Sequence, residues 1–308
     1  MATVNAPKYG LTLGPVVFNW PAEHWRDFYF RIADEAPLDH VVVGETVCEK
    51  RLPFIAPHLP GVVARLQRAG KRVSVASLGL ISNPRERAAT RAIIDMEDVL
   101  IEANDISVVA ALAGRPHAIG PMINIYNEGT LSYLAGRGAV RVCLPPELPA
   151  ISIAALAAAV DTELEVQVFG RLALAISARC YHARSRGLTK DGCQYVCAED
   201  ADGMVIDTLE GEAFLAVNGT QTQSRSYLNL TAELPTLRSM GVHRFRLSPQ
   251  DVDMLAVAAV YDALLSGQID AEEADSQLLD LCPAVPFSNG FFHAREGRRF
   301  IGQDTTAE

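Results

Sequence analysis

Short apolar runs alternate with stretches of helical spacing along most of this 308-residue chain. "LTLGPVVFNW" (11–20) predicts a strand that ends at Pro21. "PAEHWRDFYFRIADEA" (21–36) predicts a helix with proline at its first position and an apolar stripe of helical period. "HVVVGE" (40–45) is a compact β-branched run, "PFIAPHLPGVVARLQRAG" (53–70) contains a helix that stops at Gly70, and "RVSVASLGL" (72–80) is a strand. "NPRERAATRAIIDMEDVLIEAN" (83–104) predicts one long helix, with Asn83 as cap and Pro84 next. Strands follow at 106–112 and 120–127, a helix at 128–138 and a strand at 139–145. An alanine-rich helix near 147–160 leads into a strand at 163–170, and a last unit comprises helix 230–241, strand 242–249 and helix 251–267.

This pattern holds eight strands, near positions 13, 41, 73, 107, 122, 140, 165 and 243. Their near-continuous apolar character suits strands buried on both faces of a parallel sheet. Eight β/α units predict a TIM-type (β/α)8 barrel. An open doubly wound sheet has the same alternation, but no G-x-G-x-x-G follows the first strand, so the dinucleotide-binding reading loses its main support. No linker or solenoid repeat interrupts the pattern. The chain reads as one domain, 1–308, with an elaborated region at about 176–229 after strand seven. Its later part, 198–229, should form a short strand or hairpin of its own.

Composition adds limits. With 49% hydrophobic and 21% charged residues the chain is an ordinary folded α/β protein, and its net charge of -10 argues against nucleic acid or anionic membranes as partners. The N-terminus lacks a basic region followed by an apolar run, and no stretch reaches the ~20 apolar residues of a transmembrane segment. A cytoplasmic location is expected, where thiols stay reduced and clustered cysteines point to metal or redox chemistry.

That expectation bears on "CYHARSRGLTKDGCQYVC" (180–197), which places three of the six cysteines in one loop. In a β/α barrel the loops at the C-terminal ends of the strands build the active site. Cys48 follows strand two, and Cys180, Cys193 and Cys197 follow strand seven, so all four can reach one mouth. Four thiolates suit structural zinc or a [4Fe–4S] cluster. Zinc sites usually show two close pairs; here Cys193 and Cys197 form one pair beside two single cysteines, which leans toward the cluster. Arg179, Arg184, Arg186, Lys190 and His182 would offset its negative charge. Cys143, within a strand, and Cys282 read as buried small hydrophobes.

Several segments resemble the collagenase-like peptidase family U32: "GPVVFNWP" (14–21), "VVVGETVCEKR" (41–51), "INIYN" (123–127), "RVCLPPEL" (141–148), "ISARCYHARSRGLTKDGCQYVC" (176–197), "VNGTQTQS" (217–224), "RFRLSPQ" (244–250) and "SNGFFHAREG" (288–297). The resemblance implies a [4Fe–4S] cluster held by Cys48, Cys180, Cys193 and Cys197. It also implies a part in oxygen-independent hydroxylation of a prenylated phenol in ubiquinone biosynthesis, with prephenate as the suggested oxygen donor. The implied partners are a homologous, UbiU-like subunit in a heterodimer and a lipid-binding accessory protein. Weaker candidates for the chemistry are Glu45 as acid or base and Arg51, Arg179, Arg184 and Arg186 as carboxylate clamps. Asn19, Trp20, Asn124, Asn127, Arg246 and Ser248 lie at expected strand ends as further weak candidates, and asparagine there is often only a turn former. A thiol peptidase is the alternative that the family label suggests, but neither H-E-x-x-H nor G-x-S-x-G is present. A non-catalytic subunit with structural zinc is another.

Overall fold

The computed structural model describes residues 9–302. Its strands are β1 (Gly10–Leu13), β2 (His40–Gly44), β3 (Arg72–Ala76), β4 (Leu100–Ala103), β5 (His117–Ile119), β6 (Ala139–Cys143), β7 (Glu163–Ile176), β8 (Met204–Asp207), β9 (Ala213–Asn218), β10 (Gln221–Asn229), β11 (Arg244–Leu247) and β12 (Phe287–Ser288). The main helices are α1 (Ala22–Glu35), α2 (Leu52–Ile55), α3 (Leu59–Arg68), α4 (Pro84–Ile94), α5 (Ile106–Ala111), α6 (Glu128–Gly136), α7 (Ala150–Ala159), α8 (Tyr181–Ser185), α9 (Leu234–Ser239), α10 (Met254–Leu265) and α11 (Ala271–Leu281).

Strands β1 to β7 lie side by side in chain order, and β11 closes the ring by pairing with both β7 and β1. All eight pairings in that ring are parallel, so the fold is a TIM-type (β/α)8 barrel. Helices cover the outside with the apolar face that their spacing dictates. In α1, Trp25, Tyr29 and Ile32 are buried, and the Tyr29 hydroxyl accepts from Val16 N at 2.9 Å.

Three elements differ from the sequence reading. The apolar run 106–112 is not a strand: α5 occupies Ile106–Ala111, its start capped by Asp105, whose carboxylate accepts from Ser107 N at 2.8 Å. The fourth strand is instead β4, inside the stretch assigned to a long helix that in fact ends at Ile94. The expected strand at 120–127 is a loop, and the fifth strand is only the three residues of β5. A short apolar run has no period that separates strand from buried helix, so here the asparate cap, not the apolar pattern, marked the helix. Among the described residues no helix is long and apolar enough to cross a membrane.

The region after the seventh strand grows out of the barrel wall. Strand β7 has 14 residues: its first half pairs with β6 and β11, and its second half runs antiparallel to β10. Gly170 is where it turns. Its φ is +97°, and a Cβ there would sit 2.6 Å from Ser248 O. Strands β8, β9 and β10 extend this layer, and β12 adds to the far side of β10.

Inside the barrel one buried ion cluster joins three strands. Arg246 on β11 donates from Nη1 to Glu102 on β4 at 2.7 Å and to Glu165 on β7 at 3.0 Å, and from Nη2 to Glu102 at 3.0 Å. All three side chains are buried. Arg246 is thus a cross-barrel tie, and of the strand-end candidates it has the clearest structural partners.

Candidate functional site

The chain segments after β2 and β7 meet at one cavity. Its walls include Cys48, Lys50, Arg51, Cys180, Lys190, Cys193, Tyr195, Cys197 and Gly219. The structure therefore brings together the four cysteines singled out by position. Cys143 is buried in β6 and Cys282 is buried after α11; neither lines this cavity.

The geometry begins with the turn between β9 and β10. Gly219 and Thr220 form a two-residue hairpin loop between the paired Asn218 and Gln221, with Gly219 at a φ of +63°. Thr220 Oγ1 donates to Val47 O at 3.0 Å, which ties the turn to the Cys48 loop. Tyr181 N donates to Gly219 O at 3.0 Å, which ties it to the residue after Cys180. A Cβ on Gly219 would come within 2.8 Å of Arg51 Nη2, so the turn has to be glycine both for backbone and for space.

Glu45 folds the Cys48 loop. Its Oε1 accepts from Val47 N at 2.6 Å and Cys48 N at 3.0 Å. Burial raises its pKa, while the Arg51 guanidinium and these two amides oppose the rise. Glu45 is buried and its carboxylate is engaged with its own loop, which makes it a positioning group for Cys48.

Arg51 crosses the site. Nη1 donates to Val17 O at 2.7 Å and Nη2 to Asn218 Oδ1 at 2.8 Å, while the buried Nε has no partner. Asn19 Nδ2 approaches Cys197 Sγ at 3.4 Å. Trp20 donates to Ala201 O at 2.8 Å and so braces the segment that follows Cys197.

The lysines anchor the loop between Cys180 and Cys193. Lys50 Nζ donates to Lys190 O at 2.7 Å and Asp191 O at 2.9 Å. Lys190 pairs with Glu86 at 3.0 Å. Glu86 also completes the capping box of α4, accepting from Ser82 N at 2.6 Å and Asn83 N at 3.1 Å. Burial opposes its ionisation, but the Ser82 bonds and the Lys190 ammonium overcome this and hold its pKa at about 2.

Other expected positive groups lie elsewhere. Arg179, Arg184 and Arg186 are exposed and do not line the cavity, and Arg186 pairs with Glu199 at 2.7 Å. The cations on the cavity are Arg51, Lys50 and Lys190. His182 is buried beneath the loop. Its Nδ1 accepts from Gly219 N at 2.8 Å, which leaves Nε2 as the donor to Asp200 at 3.0 Å. With both ring nitrogens engaged, His182 cannot serve Cys180 as a general base, and the thiol-peptidase arrangement is not built here. Asn124 is exposed in a loop, Asn127 caps α6 by accepting from Thr130 N at 2.8 Å, and Ser248 Oγ accepts from Gln250 at 3.4 Å.

Burial pushes the Cys48 thiol up to about 12 and raises that of Cys180. A cavity that disfavours free thiolates holds them in charged form only against a cation or a metal. Among the described residues, no three His, Cys, Asp or Glu side chains converge on one point as a single metal ion would require. The donor set is four thiols with three cations on the same cavity and one unpartnered arginine N–H, which suits an anionic group held by thiolates. Gln194 and Tyr195, between the last two cysteines, adopt left-handed backbone, with φ of +51° and +56°. Such strain in two successive non-glycine residues is held by the surrounding structure and clusters at functional sites.

The sequence reading did not single out Lys50, Glu86, Tyr195 or Gly219. Gly219 carried a local turn signal and Glu86 a capping-box one, three residues after Asn83. A sequence model described as peptidase family U32 matches residues 25–301. No solved structure matches the chain significantly.

Proposed function

The chain belongs to peptidase family U32, and on that premise we propose that it is an iron–sulfur protein, with a [4Fe–4S] cluster held by Cys48, Cys180, Cys193 and Cys197. The observation that carries this reading is the shared cavity: two segments more than a hundred residues apart deliver four thiols and a fully buried arginine to one place. One close pair, Cys193 and Cys197, beside two separate cysteines leans toward the cluster over zinc, which usually takes two close pairs. When bound, the cluster supplies one-electron transfer. The chain's own groups would hold its thiolates and position its surroundings. Arg51 Nε is free to donate to it, Lys50 and Lys190 offset its charge, and Glu45 and the 218–220 turn fix the loops.

The family member whose motifs these segments resemble is UbiV. On that resemblance, the chain takes part in oxygen-independent ring hydroxylation of ubiquinone precursors, in the cytoplasm. It acts as a heterodimer with a UbiU-like subunit and with a lipid-binding accessory protein, using prephenate as the oxygen donor. Loss of this chain in its source organism should abolish ubiquinone formation in cells grown without oxygen and leave it intact in aerated cells. Quinone extraction and mass spectrometry would check this. Equal ubiquinone in both anaerobic cultures would overturn the reading.

A further inference from the structure

A second cavity abuts the cysteines. It has a volume of about 610 Å³ and lies between α2, α3 and α4. Its walls are mostly apolar, built by residues such as Leu52, Ile55, Leu59, Ala89, Ile93 and Met96. Lys50 and Tyr195 belong to both cavities, so the strained Tyr195 stands between them. Tyr195 is braced there by Phe54, edge to face at 4.9 Å. A chamber of this size falls in the ~300–1,000 Å³ range of small-molecule sites.

The polar side chains in this wall are Glu49, Lys50, Arg85 and Tyr195. Glu49 lines the chamber, is 8% exposed, and its buried Oε1 has no hydrogen-bond partner. The nearest cation, Arg85, stands 4.0 Å from it and is otherwise drawn to Asp191 at 3.4 Å. Its other oxygen, Oε2, takes the weak bond from Cys48 Sγ at 3.8 Å. A buried acceptor left unpaired in an apolar chamber costs free energy that a ligand's donor recovers. The neighbouring Lys50 and Arg85 disfavour a cationic donor and leave a neutral one, of which a hydroxyl is the simplest.

We infer that this chamber is a binding site for a neutral, apolar molecule bearing a hydroxyl group, with the hydroxyl donating to Glu49 Oε1. The inference goes beyond the cluster reading and stands whether or not the thiols hold iron, because binding is read directly. The test is calorimetric titration of the purified full chain with 4-hexylphenol and with hexylbenzene. The phenol binds, and hexylbenzene, which lacks the donor, binds about 10–100-fold more weakly, the range of a hydrogen bond to a charged group. Glu49→Gln reduces that discrimination while hexylbenzene binding persists. Ala89→Phe, on the chamber side of α4, removes binding of both probes. Absence of phenol binding to the wild-type chain overturns the inference, as a chamber reserved for a partner's side chains would produce. So does full discrimination in Glu49→Gln, or unchanged binding in Ala89→Phe, which would place the probes elsewhere.

Discussion

Cys180→Ala should lose most of the bound iron of the anaerobically purified chain, while Cys143→Ala should keep it. Both cysteines are buried and both thiols are raised by burial, so neither exposure nor acidity distinguishes them. Position does. Cys180 lines the cavity with three other thiols, whereas Cys143 sits in β6 against the barrel interior. Cys180 is also a structural joint: its sulfur accepts from Ala183 N at 3.4 Å, and the next residue binds the 218–220 turn. Its loss should therefore also loosen the loop that carries Cys193. Removing the Cys143 sulfur deletes a small apolar group, with a stability cost of about 1–2 kcal/mol. Iron per chain, measured alongside circular dichroism, separates the outcomes. Equal iron in the two variants would remove Cys180 from the ligand set.

Arg246→Met should be the most destabilising single change in the barrel. The guanidinium makes three hydrogen bonds to Glu102 and Glu165, and all three residues are no more than 3% exposed. Without it, two buried carboxylates face each other with no cation between them. Breaking a buried pair from one side costs about 3–5 kcal/mol, whereas replacing the whole group with apolar residues of similar volume is often tolerated. Urea unfolding should show a large fall in midpoint for Arg246→Met. It should show a smaller one for the triple variant Arg246→Met, Glu102→Leu, Glu165→Leu. A single variant as stable as the parent would mean that the cross-barrel tie contributes nothing.

The two variants probe parts of the molecule that the sequence revealed unequally. The barrel was legible because most strands are β-branched runs between well-marked helices, with Gly70 and Pro21 as boundaries. It failed at β4 and β5, where strands of four and three residues lie beside an apolar helix turn that imitates a strand. The cysteines were legible because barrel topology sends the loops after β2 and β7 to the same end. The charges around them were not. Arg184 and Arg186 adjoin Cys180 in sequence, yet α8 turns them to solvent; Lys50 and Arg51 come from the other segment and reach the cavity. Proximity along the chain predicts a side chain's neighbours only within a helix turn or a strand pair. Nothing local told that the Glu86 of a capping box would also anchor Lys190, because that contact spans 104 residues.

A [4Fe–4S] protein of this design needs four thiols from two loops to hold iron and sulfide. Anaerobic purification of the chain, with iron, zinc and acid-labile sulfide assayed together, tests it most directly. About four irons and four sulfides per chain are expected, the content of a cubane on four cysteines. Zinc without sulfide would contradict this and make the site structural.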